Sequence, residues 1–447
     1  MNQTTLQEAA NRLQAHLDGM PYQNYVYSYP HKTSYREFKK TTLLKEAWES
    51  ENKRALFLYV HIPFCEMRCG YCNLFTTAHP DPQWVDDYLA ALHRQASVTA
   101  NYLGDGFRFE QLAIGGGTPT YLTPEQLQRL FHVLRNELSL NAQGISVEVS
   151  PATADAERLA LLQQQGVTRI SIGVESFDKE ELHALGRPQK PDQVDRTLLR
   201  IRDIGVACLN IDLIYGSAAY SLKRWRYTID RALAYQPEEL FLYPLYVRPL
   251  TGLARKQQRQ PEDHRLEAYF EARERLLTAG YHQTSMRMFV RADSRESRGQ
   301  YRCQEDGMIG LGAGARSYTQ SLHYSSHYAV DSSQIGQIIS HYNQATEASL
   351  AQATYGYRLD REDQYRRYVL LSLLQESGLQ CADYQQRFGS KVLDDLPEIG
   401  LLEDFGLGEL QSEFIRLNER GIAYSDLIGS WLFSRRVRER MTEWHWQ

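Results

Sequence analysis

Tyr59-Val-His-Ile-Pro-Phe-Cys-Glu-Met-Arg-Cys-Gly-Tyr-Cys72 is the stretch that decides how this chain is read. An apolar, β-type segment runs directly into a loop that brings Cys65, Cys69 and Cys72 toward one point. The C-x3-C-x2-C spacing supplies three thiolates and no fourth, unlike the four-cysteine patterns of sealed electron-transfer clusters. Three thiolates on a cubane of four irons leave one iron open to an outside ligand, which points to a catalytic cluster. Zinc is the competing reading. A structural zinc wants four ligands, so His61 or His79 would have to complete the set.

Outward from the loop, short apolar runs alternate with longer amphipathic ones. Strands are expected at 56–61, 111–115, 145–149, 169–174, 209–214 and 239–246. Helices are expected between and after them at 84–101, 124–137, 155–165, 191–204, 222–235 and 264–279. Strand–helix repetition with crossovers of this length predicts a parallel sheet. Six units are too few for a closed eight-fold barrel. Thr123-Pro-Glu-Gln fits an N-cap with proline at the first helical position. The acids of Thr153-Ala-Asp-Ala-Glu suit a helix start, and Gly166 and Gly205 stand where C-cap glycines belong.

Bulk properties narrow the class. The chain has 447 residues, 42% of them hydrophobic and 23% charged, which suits a large core domain with appendages. Fifty basic against 55 acidic residues leave a net charge of −5, so no nucleic-acid partner is expected. No apolar run reaches the length of a membrane span, and the start of the chain lacks a signal-peptide pattern. Six cysteines, three of them clustered, do not form a secreted disulfide framework, and a thiolate-held cluster needs reducing conditions. A cytoplasmic protein is therefore expected.

The cysteine loop, with Tyr59, His61, Pro63 and Phe64 ahead of it, resembles the radical S-adenosylmethionine (SAM) enzymes. Within them it resembles the family of oxygen-independent coproporphyrinogen III oxidases and heme chaperones. Matching stretches follow in order at Gly115-Gly-Gly-Thr-Pro-Thr120, Arg169-Ile-Ser-Ile-Gly-Val-Glu-Ser-Phe177, Asn210-Ile-Asp-Leu-Ile-Tyr-Gly216 and Gly310-Leu-Gly-Ala-Gly-Ala315. The resemblance implies an open, partial (β/α)6 TIM-like radical SAM barrel in an α/β chain. It divides the sequence into an N-terminal arm (1–54), a core with its extension (55–345) and a mostly helical, winged-helix-like lid domain (346–447).

It also implies the site. Cys65, Cys69 and Cys72 would ligate a [4Fe–4S] cluster, and SAM would be the second cofactor. Tyr71 would pack on the adenine of SAM, and Tyr59 is carried over as a further contact. Gly116, Gly117 and Thr118 match the motif that binds the SAM amino group; consecutive glycines also let backbone approach a ligand closely. Glu148 closes a strand whose carboxyl end faces the barrel mouth, and it matches another SAM contact. Arg187 and Asp212 match a second SAM site of the oxidase; Glu175 stands where the oxidase has glutamine. Leu74 occupies the place of an additional oxidase cysteine, whereas Ser28-Tyr-Pro resembles the oxidase arm.

Cys303 is a candidate to touch substrate, and Arg248, Arg287, Arg291 and Arg316 are candidate clamps for tetrapyrrole propionates. The expected activity is that of a radical SAM oxidoreductase, forming a 5′-deoxyadenosyl radical that acts on a tetrapyrrole by oxidative decarboxylation of propionates. The alternatives are a heme-binding chaperone without turnover and a radical SAM methyltransferase or other heme-modifying enzyme. A low-potential electron donor such as flavodoxin, a monomeric state and no membrane span complete the expectations.

Overall fold

The computed structural model describes residues 3–445 apart from 23–24, 27, 257–262 and 298–305. Six parallel strands run side by side in chain order: β1 (Leu56–Ile62), β2 (Phe109–Gly116), β3 (Gly144–Val149), β4 (Arg169–Glu175), β5 (Cys208–Tyr215) and β6 (Glu239–Pro244). In β1, Leu56, Leu58, Val60 and Ile62, which share one face of the strand, have no exposed surface. Helices Pro82–Leu103, Pro124–Leu138, Ala156–Gln164, Pro191–Asp203, Leu222–Ala234 and Arg265–Thr278 wrap the outside. This is the expected partial barrel, and most boundaries fall within two residues of the sequence reading.

The helix ends explain that agreement. Thr123 Oγ1 accepts from the Gln126 N–H at 3.2 Å, and Gln126 Oε1 accepts from the Thr123 N–H at 3.0 Å, a complete capping box. Asp155 caps the next helix by accepting from the Arg158 N–H at 2.8 Å. Gly166 and Gly205 take φ of 73° and 66°, the left-handed geometry that ends a helix.

The sheet does not stop at six strands. Met308–Leu311 lies parallel to β1, and Arg316–Tyr318, Leu322–Ser325, Gln352–Arg358 and Arg36–Leu43 continue it antiparallel. On the far side Met288–Arg291 and Tyr281–Gln283 extend β6, giving 13 strands among the described residues. The sheet therefore runs across both boundaries expected at 54/55 and 345/346, because Arg36–Leu43 pairs with Gln352–Arg358. Beyond it, three short strands (Leu379–Gln380, Gly408–Leu410, Phe414–Leu417) and surrounding helices form the winged-helix-like C-terminal part.

Residues of the arm and of the C-terminal part meet. Trp431 Nε1 donates to the Ala9 carbonyl at 3.0 Å, and Asp426 Oδ1 accepts from the Val26 N–H at 3.0 Å. Gly429 allows this approach, since a Cβ there would stand 2.9 Å from Val26. Asp426 also accepts from Arg287 and from the Tyr246 hydroxyl, so one carboxylate joins arm, barrel and C-terminal helix. Among the described residues no helix is long and apolar enough to cross a membrane.

Candidate active site

A cavity of about 720 Å³ opens at the carboxyl ends of the six strands. Its wall includes Cys65, Cys69 and Cys72, and with them Tyr71, Gly116, Gly117, Thr118, Glu148, Glu175, Arg187 and Asp212. Every residue expected to hold the cluster or SAM, apart from Tyr59, thus lines one cavity. Tyr59 is set back in β1, its hydroxyl 3.1 Å from His61 Nδ1.

The cysteine loop is held by its backbone. Phe64–Cys65 pairs in parallel with Thr77–Ala78, the Thr77 N–H donates to the Pro63 carbonyl at 2.7 Å, and the Cys72 N–H donates to Cys69 O at 3.1 Å. Gly70 donates to the Gly186 carbonyl at 3.2 Å and accepts from the Leu253 N–H at 2.8 Å. A Cβ on Gly70 would meet Leu185 O at 2.8 Å, so only glycine lets the loop lie this close. Tyr71, beside it, packs its ring among Leu185, Ile214, Leu245 and Leu253 and bonds its hydroxyl to Glu175. It braces the loop while still facing the cavity.

The glycine run also makes room within the protein. A Cβ on Gly115 would stand 2.6 Å from the Glu148 carboxyl, one on Gly116 2.3 Å from the His61 ring, and one on Gly117 2.6 Å from the Phe64 carbonyl. The missing side chains make room for the protein's own groups, and Gly116 also takes φ of 110°. Glu148 uses that room to accept from the Gly116 N–H at 3.0 Å. The loop 310–315 backs the cysteine loop: a Cβ on Gly314 would meet the Phe75 ring at 2.6 Å.

The polar groups form a linked set. Arg187 donates to Cys69 Sγ at 3.0 Å and to the Gly173 carbonyl at 2.6 Å, and its guanidinium lies 3.7 Å from Glu175 Oε1. Burial works against the charge on Arg187, yet Tyr71, Glu175 and Cys69 hold its pKa above the usual value. Glu175 sits in the left-handed region with φ of 65°, where the β4–β5 register slips between Gly173 and Glu175. Non-glycine strain at a bulge turns a side chain out of strand order, here into the cavity. Asn210 Nδ2 donates to Asp212 Oδ1 at 2.8 Å and the Ser171 hydroxyl to Asp212 Oδ2 at 3.0 Å. Burial and the Glu175 charge nevertheless push Asp212 up to about 7; burial raises Glu148 and Glu175 as well.

Zinc is poorly served here. His61 is engaged at both ring nitrogens, by the Tyr59 hydroxyl and by the Phe75 carbonyl at 2.9 Å, and burial lowers its pKa to about 4. Among the described residues no group of three or more His, Cys, Asp or Glu side chains is drawn in around a single ion. Three corners of a cubane need no such convergence. Burial pushes the Cys65 thiol up to about 12 and raises Cys69 too, so these thiols keep their protons unless a cation takes their place.

The lining also includes the cationic side chains of Lys32, Arg248 and Arg316. Lys32 comes from the arm, and Met441 and Trp444 from the C-terminal helix and the residues after it. None of these three was foreseen; Lys32, four residues past Ser28 in the arm, offered the best signal. Arg287 and Arg291 are not clamps: Arg287 is buried against Asp426, and Arg291 pairs with Asp293 at 2.7 Å and Glu238 at 3.2 Å. Cys303 lies outside the described residues.

Residues 59–219 match the radical SAM superfamily, and residues 359–424 match the HemN C-terminal domain. The heme chaperone HemW of Escherichia coli is 33% identical over 269 residues, covering 58% of this chain and 69% of that protein. The chain belongs to this family. The E. coli oxygen-independent coproporphyrinogen III oxidase is 29% identical over 427 residues, 89% of this chain and 91% of the relative. The solved structure of coproporphyrinogen III oxidase (HemN) from E. coli, described as a radical SAM enzyme, superposes with a TM-score of 0.80 at 26% identity, covering 92% of this chain and 97% of the other.

As a radical SAM oxidoreductase of the HemN/HemW family, the protein has a [4Fe–4S] cluster and SAM as cofactors. The residues present fit that pair. Three half-buried thiols share one end of the cavity, a guanidinium is aimed at the sulfur of one of them, and the adjoining wall carries carboxylates and open backbone.

Proposed function

We propose that the protein is a radical SAM enzyme acting on a tetrapyrrole with carboxylate side chains, in the first instance coproporphyrinogen III, with heme as the second substrate to be tried. Cys65, Cys69 and Cys72 hold the cluster; Tyr71, Gly116, Gly117, Thr118 and Glu148 bind SAM on this reading, with Tyr59 acting from behind through His61. Glu175, Arg187 and Asp212 offer contacts for a second SAM. The cluster–SAM pair supplies a 5′-deoxyadenosyl radical for hydrogen abstraction, and the protein supplies orientation and exclusion of water.

The observation that carries the reading is the makeup of the cavity: its lining combines the three thiols and the carboxylates with Lys32, Arg248 and Arg316 and with Tyr25, Tyr243 and Tyr246. Aromatic side chains suit a flat macrocycle, and cationic ones suit its acidic groups. Heme is kept beside coproporphyrinogen because Leu74, where the oxidase has a cysteine, faces the cavity and offers no thiol. The test is anaerobic turnover with dithionite, SAM and either tetrapyrrole, analysed by mass spectrometry. The reading requires 5′-deoxyadenosine and a modified tetrapyrrole. Tight heme binding with no deoxyadenosine would favour the chaperone alternative, and S-adenosylhomocysteine would favour methyl transfer.

A further inference from the structure

Each cysteine of the loop meets a side-chain donor of its own. Thr118 Oγ1 donates to Cys65 Sγ at 3.7 Å, Arg187 donates to Cys69 Sγ at 3.0 Å, and Thr76 Oγ1 lies 3.8 Å from Cys72 Sγ. Thr118 and Arg187 are SAM contacts on the reading above. Thr76 has no part in it.

The chain holds Thr76 in place for this one contact. It is 1% exposed, and the peptide groups on both sides of it are tied down. The Phe75 carbonyl accepts from His61 Nε2 at 2.9 Å, while the Tyr59 hydroxyl donates to His61 Nδ1 at 3.1 Å and fixes that tautomer. On the other side, the Thr77 N–H donates to the Pro63 carbonyl at 2.7 Å. Between Cys72 and Thr76, the Asn73 carbonyl accepts from the Tyr328 hydroxyl at 2.6 Å. The buried pair Tyr59–His61 thus reaches the cysteine loop through the backbone that presents the Thr76 hydroxyl.

Between a hydroxyl and a thiol either atom can donate. An iron-bound thiolate has no proton, so there the Thr76 hydroxyl is the donor. An electron added to the cluster raises the negative charge on its thiolates and strengthens such a bond. Hydrogen bonds to the sulfurs are among the factors that set a cluster's potential.

We infer that the Thr76 hydroxyl donates to the Cys72 thiolate and raises the reduction potential of the cluster, which makes Thr76 a positioning residue for electron entry. One electron arrives from a low-potential donor, dithionite in vitro, and no bond forms or breaks at Thr76. This assignment rests on the cluster standing on Cys65, Cys69 and Cys72, though not on the tetrapyrrole reading.

The test uses the full chain, reconstituted anaerobically, with substitutions at one position. Thr76→Val keeps the shape and loses the hydroxyl, Thr76→Ser keeps the hydroxyl and loses the methyl, and Thr76→Ala loses both. Midpoint potentials are read by electron paramagnetic resonance on samples poised at known potentials, without SAM and with it. At the wild-type midpoint, Thr76→Val and Thr76→Ala should show a reduced-to-oxidised ratio lower by up to about tenfold, a shift of up to about 59 mV to more negative potential for one electron. Thr76→Ser should match wild type. Electron–nuclear double resonance in H2O and D2O is a second readout. One exchangeable proton coupling should be present in wild type and Thr76→Ser and missing from Thr76→Val.

Wild-type protein that takes up no four-iron cluster, or a Cys72→Ala variant that takes it up equally well, refutes the cysteine assignment, and the inference falls with it. A cluster that forms with one potential in wild type and all three Thr76 variants refutes the inference alone. So does a potential that follows the methyl instead of the hydroxyl. A shift seen only with SAM bound gives Thr76 to the nucleotide and overturns the assignment equally. If Thr76→Val and Thr76→Ala hold no cluster while Thr76→Ser does, the hydroxyl serves assembly and the potential-setting role is overturned.

Discussion

Asp426 invites a quantitative prediction. It is 1% exposed, and it receives Arg287, the Tyr246 hydroxyl and the Val26 N–H at 3.0 Å. Arg287 in turn lies 4.2 Å from the centroid of Tyr25, which stacks on Tyr246 at 6.0 Å, and both tyrosines face the cavity. Asp426→Asn keeps the shape and an acceptor for Val26 but strands a buried guanidinium. Breaking one side of a buried pair costs about 3–5 kcal/mol. Tyr246→Phe removes only a hydrogen bond to a charged acceptor, about 1.5–3 kcal/mol. Replacing both charges, as Asp426→Asn with Arg287→Met, removes the stranded cation and should be less destabilising than Asp426→Asn alone. Urea unfolding followed by tryptophan fluorescence gives these free energies, with Arg287→Met alone measured to complete the cycle. If the double variant is destabilised by the sum of its two singles, Asp426 and Arg287 are energetically independent and the clasp is wrong.

Other expectations follow from single features. Alanine at Cys65, Cys69 or Cys72 should abolish iron incorporation and the brown chromophore after anaerobic reconstitution, while the far-ultraviolet circular dichroism stays native. Gly116→Ala combines a positive φ with a Cβ 2.3 Å from the His61 ring, and should lower stability by well over about 1 kcal/mol in a thermal melt of the apoprotein. Asp212 titrates near 7 in the folded apoprotein, above an ordinary aspartate, so the folded state holds a proton that the unfolded state gives up. Its contribution is full below the unfolded pKa and is lost as pH rises through about 7. Melting temperature against pH should therefore fall less steeply between pH 4 and 7 in Asp212→Asn than in wild type. Thr123→Ala should cost about 1 kcal/mol through loss of its capping box.

The barrel was legible because each of its signals is local. Buried parallel strands read as apolar runs, and Thr123, Gly166 and Gly205 mark helix ends by rules that involve only neighbouring residues. Strands such as Arg316–Tyr318 and Arg36–Leu43 were missed for the opposite reason: they are short or polar, and their partners lie far away in the chain. The same divide runs through the site. Cysteine spacing, the glycine run and Glu148 stand at strand ends whose direction the periodicity gives. Lys32, Tyr25 and Trp444 reach the cavity only through tertiary docking of the arm and the C-terminal part. Arg287 misled because an arginine's use depends on which acid faces it, and Asp426 is 139 residues away.

The meeting of the chain's two ends has a consequence for synthesis. Trp431 and Ala9 are separated by 422 positions, Asp426 and Val26 by 400. On a ribosome the cysteine loop and all six central strands emerge long before Asp426, so for most of translation the nascent barrel lacks its clasp and the contacts that fix Tyr25 and Tyr246 in place. Loop-closure entropy over such separations is overcome only when the last helices exist to reward it. The cavity is therefore less enclosed during elongation than once residues 426–431 have docked.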